Sequence, residues 1–71
     1  MKNNRIPRKF YNITVKMLID TSETKKNDII QISKNNFGYI GYNKRTNRHF
    51  YVFASMLRNN NICEFLEVIA W

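Results

Sequence analysis

An alternation of apolar and polar residues over residues 10–20, FYNITVKMLID, constrains the fold of this chain more than any other feature. The apolar side chains stand at every second position, at Tyr11, Ile13, Val15, Met17 and Ile19. Successive side chains of a β-strand point to opposite faces, so a period of two with β-branched residues is typical of a half-buried strand. We therefore expect a strand here, with these five residues facing a core.

The next segments indicate a second strand followed by a turn. Asp28–Ser33 predicts a short strand with Ile30 and Ile32 inward, and the polar residues 21–27 before it predict a loop. Residues 34–36, Lys-Asn-Asn, predict a turn because Asn tolerates positive φ. Gly38 and Gly41 then mark a bulge, a bend or a close approach in the following strand.

The segment Phe37–Phe53 is typical of a β-hairpin, because two aromatic runs flank a polar and basic centre. A loop of residues 44–47 would pair Tyr42 with His49 and Ile40 with Tyr51. One face of the hairpin would then carry a core set, Tyr39, Phe50, Val52 and Ala54, and the other an aromatic set, Ile40, Tyr42, His49, Tyr51 and Phe53. A slip of one residue would mix the two sets, and cross-strand aromatic pairs also stabilise sheets without any ligand.

The C-terminal segment, residues 62–70, fits two structures. Its apolar residues Ile62, Phe65, Leu66 and Ile69 have helical spacing, and Asn61 with Glu64 fits a capping box. The same segment is rich in β-prone residues, so a fifth strand is the alternative. Glu64 and Glu67 would point to opposite faces of a regular strand, so the spacing favours a short amphipathic helix.

These elements predict a mainly β fold, a small antiparallel curled sheet or barrel of four to five strands, with residues 62–70 as helix or strand. Residues 1–9 are polar and basic, and Pro7 cannot donate to a sheet, so we expect a basic N-terminal arm. The alternative for this segment is a frayed terminus. Residues 10–71 are expected to form a single small β-rich domain.

Residues 27–42, NDIIQISKNNFGYIGY, resemble the middle of an SH3-like barrel. In such barrels a short strand opens after an acidic residue, turns, and meets a strand with glycines and aromatic residues. The resemblance covers about a quarter of the chain, and it implies a small SH3-like barrel. The paired tryptophans of peptide-binding SH3 domains are missing, since Trp71 is the only Trp. The resemblance therefore does not imply binding of proline-rich peptides.

Composition excludes several classes of site. The single Cys63 cannot form an intramolecular disulfide, and with His49 it provides too few ligands for a usual metal site. We expect no cofactor, and an intracellular, reducing, cytoplasmic location. No apolar run approaches the roughly 20 residues that span a bilayer, and no signal peptide is recognisable, so no membrane association is expected. No nucleophile, base or metal set converges, so we expect no enzyme.

The net charge of +7 is unevenly placed along the chain. Residues 1–9 and residues 34–58 contain several Lys and Arg residues and no acid. Clustered positive charge is typical of a protein that binds a polyanion. The chain is also rich in Asn, Ile, Lys, Tyr and Phe, whose codons are A/U-rich, so an A/T-rich genome would raise the Lys content without selection for charge.

The leading interpretation is a small, non-catalytic nucleic-acid-binding module that favours single strands. Phosphate contacts are expected from Arg5, Arg8, Lys9, Lys34, Lys44, Arg45 and Arg48, and base stacking from Tyr42 and Tyr51, with Phe53 as a further candidate. The alternative is a small phage- or plasmid-type interaction protein. Its basic face would dock on an acidic surface of a larger protein and inhibit or modulate that protein. In one version of this hypothesis the larger protein itself handles nucleic acid. A small subunit of a ribonucleoprotein requires the same charge.

Overall fold

The structure is a computed structural model, and it describes residues 6–7 and 9–71. Five strands and one short helix follow each other along the chain: β1 Asn12–Met17, β2 Ile29–Asn35, β3 Gly38–Asn43, β4 Arg48–Val52, α1 Ala54–Leu57 and β5 Cys63–Ala70. All strand pairs are antiparallel and form one sheet in the order β4-β3-β2-β1-β5. The predicted mainly β fold is therefore confirmed, and the sheet is open because β4 and β5 are its two edges.

The core lies on one face of this sheet, here called the core face, and the opposite face is called the outer face. Ile13, Val15 and Met17 of β1 are fully buried, as are Ile30 and Ile32 of β2. These residues alternate with more exposed ones, as the period of two predicts. Burying a side chain of this size contributes about 1.5–3 kcal/mol relative to leaving it exposed, so this cluster dominates the stability of the sheet.

The first and last residues of the apolar set predicted for the first strand, Tyr11 and Ile19, do not face the core, so the prediction is wrong at both ends. Tyr11 is 60% exposed and Ile19 is 42% exposed, because β1 runs only from Asn12 to Met17. Beyond Met17 the chain leaves the sheet, where the Leu18 N–H donates to the carbonyl of Ile62. At the other end Phe10 is buried in place of Tyr11.

The segment that resembles an SH3-like barrel forms β2, a tight turn and β3. The turn consists of residues 36–37, two positions, since Asn35 pairs with Gly38. Lys34 and Asn35, which were predicted to turn, belong to β2 instead. Gly38 has a φ of 132°, a backbone conformation that residues with a Cβ rarely adopt.

Gly41 marks a close approach, one of the roles predicted for the glycines. An added Cβ would lie 2.9 Å from Cζ of Phe50 and 2.9 Å from Cγ2 of Val52. The absence of a side chain at this position of β3 thus allows the Phe50 ring of β4 to lie across it. Gly41 therefore serves packing between neighbouring strands of the core face.

Residues 63–70 form strand β5, so the C-terminal helix that the spacing favoured is wrong. β5 pairs with β1, but the register between the two strands shifts twice. At each shift one residue of β5 has no partner in β1, and these two residues are Leu66 and Ile69. They are 45% and 52% exposed, as expected for the extra residues of β-bulges at a sheet edge.

The bulges turn a period of two into a period of three. Lys16 pairs with Glu64 and Thr14 pairs with Glu67, so both acids lie on the outer face although they are three residues apart. Phe65 lies between them on the core face and packs against the core. The spacing that resembled a helix is therefore that of a strand with two bulges.

The short helix α1 lies between β4 and β5, where the hairpin prediction extended the core set to Ala54. Ala54 is exposed and begins the helix, so its predicted core position is wrong. Leu57 at the end of α1 is buried and joins the core cluster. One turn of helix thus covers the core face near the end of β4.

Candidate nucleic-acid interface

The β3–β4 hairpin has the register that a loop of residues 44–47 implies. Tyr42 pairs with His49, Ile40 with Tyr51, and Asn43 with Arg48. Pleat alternation therefore places Ile40, Tyr42, His49 and Tyr51 on the outer face. The predicted aromatic face is thus present, and the alternative slipped register is not.

The rings on this face differ in how freely they could stack on a base. The centroids of the Tyr42 and His49 rings are 4.7 Å apart with an interplanar angle of 43°. The Tyr42 hydroxyl donates to Oδ1 of Asn47 at 2.6 Å, which fixes the ring over the hairpin loop. Tyr51 is 73% exposed and Phe53, just after β4, is 74% exposed. Tyr51 and Phe53 are therefore the accessible rings, whereas Tyr42 is half-buried and already packed against His49.

The outer face of β2, β3 and β4 carries no carboxylate. The residues of β2 that share this face with the hairpin are all uncharged: Ile29, Gln31, Ser33 and Asn35. Glu64 and Glu67 lie two strands further away, on β5, where Glu64 Oε1 is 3.6 Å from Nζ of Lys16. The acids of the outer face are therefore confined to β5, away from the aromatic residues of β3 and β4.

Arg45, predicted to contact phosphate, has a different role in the structure. Its Nε donates to Oδ1 of Asp28 at 2.7 Å and its Nη2 donates to Oδ2 at 3.0 Å, a bidentate ion pair. The Lys25 N–H and Nδ2 of Asn43 also donate to Oδ2 of Asp28, each at 2.8 Å. Because its charge is matched by a buried carboxylate, Arg45 holds two loops together rather than offering a free cation.

These contacts perturb the pKa of Asp28. Donation from the Arg45 guanidinium, followed by the Lys25 N–H, holds the pKa of the Asp28 carboxyl well below its usual range, although burial opposes the shift. Asn43 completes the cluster: it is fully buried, its Nδ2 also donates to the Glu23 carbonyl at 3.3 Å, and its Oδ1 accepts the Arg45 N–H. The loop before β2 is thereby fixed against the tip of the β3–β4 hairpin.

The predicted cations do not gather at one place. Lys44 and Arg48 flank the hairpin tip and are exposed, but alternation places Arg48 on the core-face side, opposite His49 and Tyr51. Lys34 pairs with Tyr39, which is about 14 Å along β3 from Asn43 at about 3.4 Å per residue. Lys9 is exposed just before Phe10. Arg5 and Arg8 lie outside the described residues.

Two cations near the tip were missed by sequence reasoning. Lys25 and Lys26 lie in the loop that the Asp28 cluster fixes beside the tip, and both are exposed. Their loop is polar and lies near acids in the sequence, so the sequence did not indicate free positive charge there. Only the fold shows that Asp28 forms its ion pair with Arg45 and not with these lysines. Within the described part of the chain, the exposed Lys and Arg side chains without an ion-pair partner are Lys9, Lys25, Lys26, Lys34, Lys44, Arg48 and Arg58.

A groove beside the core was also missed. Its volume is about 820 Å³, and its lining is Ile6, Pro7, Phe10, Tyr39, Ala54, Leu57, Arg58 and Asn60. The rings of Phe10 and Tyr39 are stacked, with centroids 5.6 Å apart and an interplanar angle of 28°. These lining residues come from three separate parts of the chain, so no local pattern could have indicated the groove.

The remaining chemistry-bearing groups are isolated. Cys63 is a buried free thiol whose pKa is raised by burial. No group of three or more His, Cys, Asp or Glu residues within residues 6–7 and 9–71 could hold a metal ion. In the same part of the chain, no helix has the length and apolarity to cross a membrane.

Comparison with protein-family models, curated proteins and solved structures finds no match for this chain. The function is therefore argued from the geometry and charge of the described residues.

Proposed function

We propose that this protein is a small, basic, non-catalytic module that binds single-stranded nucleic acid inside the cell. The observation that carries the proposal is the acid-free outer face of the β3–β4 hairpin, on which Tyr51 is exposed. This face adjoins the hairpin tip, where Lys44 and Arg48 are exposed, Arg48 on the core-face side. Exposed rings beside unpaired cations suit single strands, because bases stack on rings while the cations neutralise phosphates.

The residues have separate roles in this proposal. Lys44 and Arg48 contact phosphates at the hairpin tip. Lys9 and Lys34 supply positive charge for phosphates further along the bound nucleic acid. Tyr51 stacks on a base, and Phe53 extends the stacking surface beyond the end of β4. Tyr42 supports the face through its packing with His49, and Arg45 maintains the shape of the tip through Asp28.

A salt titration of binding to labelled single-stranded DNA and RNA tests the phosphate contacts. For single strands the logarithm of the affinity falls with the logarithm of salt with a slope of about −0.7 per phosphate neutralised. The Lys44→Ala/Arg48→Ala variant is expected to make the slope shallower by about 1.4. Lys16→Ala is the control, since Lys16 lies on β1, two strands away from β3, and forms an ion pair with Glu64. Unchanged binding by a variant with Lys44, Arg45 and Arg48 all replaced by Ala, measured at low salt, would refute the hairpin assignment.

A pair of variants at Tyr51 tests the stacking. Tyr51→Ala is expected to weaken binding by about 1–3 kcal/mol, whereas Tyr51→Phe keeps the ring and should bind like the wild type. Because Tyr51 is largely exposed, neither change should alter stability by more than about 0.5 kcal/mol. Equal affinity of the two variants would show that the ring does not stack on a base.

A second candidate function, a small phage- or plasmid-type protein that binds and modulates a larger protein, is favoured by the exposed apolar side chains. Phe37 is 88% exposed and Trp71 is 78% exposed, while Leu66 and Ile69 are exposed along the edge strand β5. Exposed aromatic side chains of this kind are enriched at protein interfaces. If no nucleic acid binds at low salt, capture of one defined partner by the wild type but not by Trp71→Ser would support this candidate.

A further inference from the structure

The groove has a volume of about 820 Å³, which lies within the range of about 300–1,000 Å³ that small-molecule pockets occupy. Tyr39 of β3 and Ala54 of α1 contribute to its walls, and Pro7 to a further side. Tyr39 is itself backed by the buried ring of Phe10, which packs against it in a stacked arrangement. The aromatic wall is therefore held in place by the core.

The charge at the groove is entirely positive. Arg58 lines it, is exposed and has no ion-pair partner among the described residues. No described residue of the lining is acidic. Lys34 pairs with Tyr39 in the sheet, and Lys9 precedes Phe10, so two further cations stand beside the lining. An occupant that complements this site is an anion with a flat, partly apolar body.

We propose that the groove binds one nucleotide unit of the single strand, a proposal that rests on the proposed function and extends it to a second site. The Arg58 guanidinium contacts the phosphate, which its planar fork of donors fits better than a lysine would. The base lies against Tyr39 and Pro7, and the exposed Asn60 amide presents both a donor and an acceptor to the base edge.

This site is separate from the hairpin face. Tyr39 lies on the core face of β3, because its partner Val52 is buried, whereas Tyr51 lies on the outer face. A strand that occupies both sites must therefore pass around the β4 edge of the sheet. The groove consequently adds affinity for flexible single strands and not for a stiff duplex.

Titration of the ¹⁵N-labelled protein with adenosine 5′-monophosphate, followed by NMR, tests the site directly. The amides of Tyr39, Ala54 and Leu57 are expected to shift, while the outer-face amide of Tyr51 is expected to shift less. Arg58→Ala should raise the dissociation constant about tenfold or more, because a hydrogen bond to a charged group is lost. Lys26→Ala removes the same charge from another exposed position and should leave the constant within about twofold.

Three further probes identify the occupant. Adenosine and inorganic phosphate are each expected to shift the groove amides less than the nucleotide at equal concentration, because each keeps only half of the contacts. If phosphate alone shifted them equally, the base contact would be refuted. If an acidic tripeptide with a central tyrosine shifted the groove amides as much as the nucleotide does, the assignment of a nucleotide would be refuted in favour of a protein segment.

A parallel titration with labelled single-stranded DNA separates this proposal from the proposed function. DNA binding that depends on Lys44 and Arg48, with no shift at the groove amides from DNA or nucleotide, refutes the groove and leaves the proposed function standing. Nucleotide binding in the groove without any DNA binding refutes the proposed function, and with it the assignment to a unit of a strand. If neither ligand binds, both proposals fail.

Discussion

Replacing Asn43 with Ala tests the cluster that fixes the hairpin tip. Asn43 is fully buried in β3, and its side chain makes three hydrogen bonds, to Oδ2 of Asp28, to the Glu23 carbonyl and from the Arg45 N–H. The substitution removes all of these bonds at once. It leaves the Asp28–Arg45 ion pair without the amide that packs beneath it.

The expected cost follows from these bonds. A hydrogen bond to a charged group contributes about 1.5–3 kcal/mol and a neutral one about 1 kcal/mol. Because the three bonds share one network they are not additive, so we expect a loss of about 3 kcal/mol. A chain of 71 residues is stabilised by about 4–11 kcal/mol in total, at about 0.05–0.15 kcal/mol per residue. The melting temperature should therefore fall by about 12–24 °C.

Urea denaturation followed by far-UV circular dichroism measures this change, since Trp71 is too exposed to report on folding. Asn36→Ala is the matched control, because Asn36 is exposed in the β2–β3 turn, and its cost should stay within about 0.5 kcal/mol. Faster hydrogen exchange at the Lys25 amide, which donates to Asp28, should accompany the loss in Asn43→Ala. A loss below about 1 kcal/mol would refute the reasoning that this buried amide fixes the tip.

Three further predictions concern pH, packing and the sheet edge. Because the folded-state pKa of Asp28 is depressed, its ionised form stabilises the fold above the unfolded pKa of about 3.9, and this contribution is lost as the pH falls. The difference in urea midpoint between wild type and Asp28→Asn should therefore narrow between about pH 7 and about pH 3, and a constant difference would contradict the assignment. Gly41→Ala should lower the free energy of unfolding by about 1–3 kcal/mol, because the added Cβ clashes with Phe50. The same substitution in a Phe50→Leu background should cost less, and equal costs in both backgrounds would count against the close approach. Leu66 is an extra residue of a bulge, so Leu66→Lys should change the free energy of unfolding by no more than about 0.5 kcal/mol. Phe65 lies on the core face, so Phe65→Lys should cost at least about 2 kcal/mol more. Equal urea midpoints for the two variants would contradict the assigned faces.

The sequence predicted the hairpin well because its information is local. The aromatic runs and the polar centre indicated the hairpin but left a slip of one residue open, and the structure has the register of a loop of residues 44–47, with Tyr42 opposite His49. The same holds for Ile30 and Ile32, whose alternation within β2 determines which face they share. Local alternation was therefore a sound guide within β2 and the hairpin, although it failed at Tyr11, at Ile19 and over residues 62–70.

The candidate site was harder to predict because it depends on which charges meet. Asp28 and Arg45 are 17 positions apart in the sequence, so nothing local indicated that one neutralises the other. The acid-free segment of residues 34–58 consequently overstated the free charge of the hairpin by one arginine. The groove between Tyr39 and Arg58 was hidden for the same reason, since its walls come from distant parts of the chain.

The C-terminal strand shows how a bulge misleads an argument from periodicity. A helix and a twice-bulged strand both place residues on one face at intervals of three, so Glu64 and Glu67 fit either structure. The partner strand decides between them: β5 pairs with β1 along the edge that β2 leaves open, and an antiparallel ladder satisfies the backbone groups of both strands. A helix cannot supply that ladder. This pairing joins segments from opposite ends of the chain, so the local spacing of residues 62–70 did not distinguish the two structures.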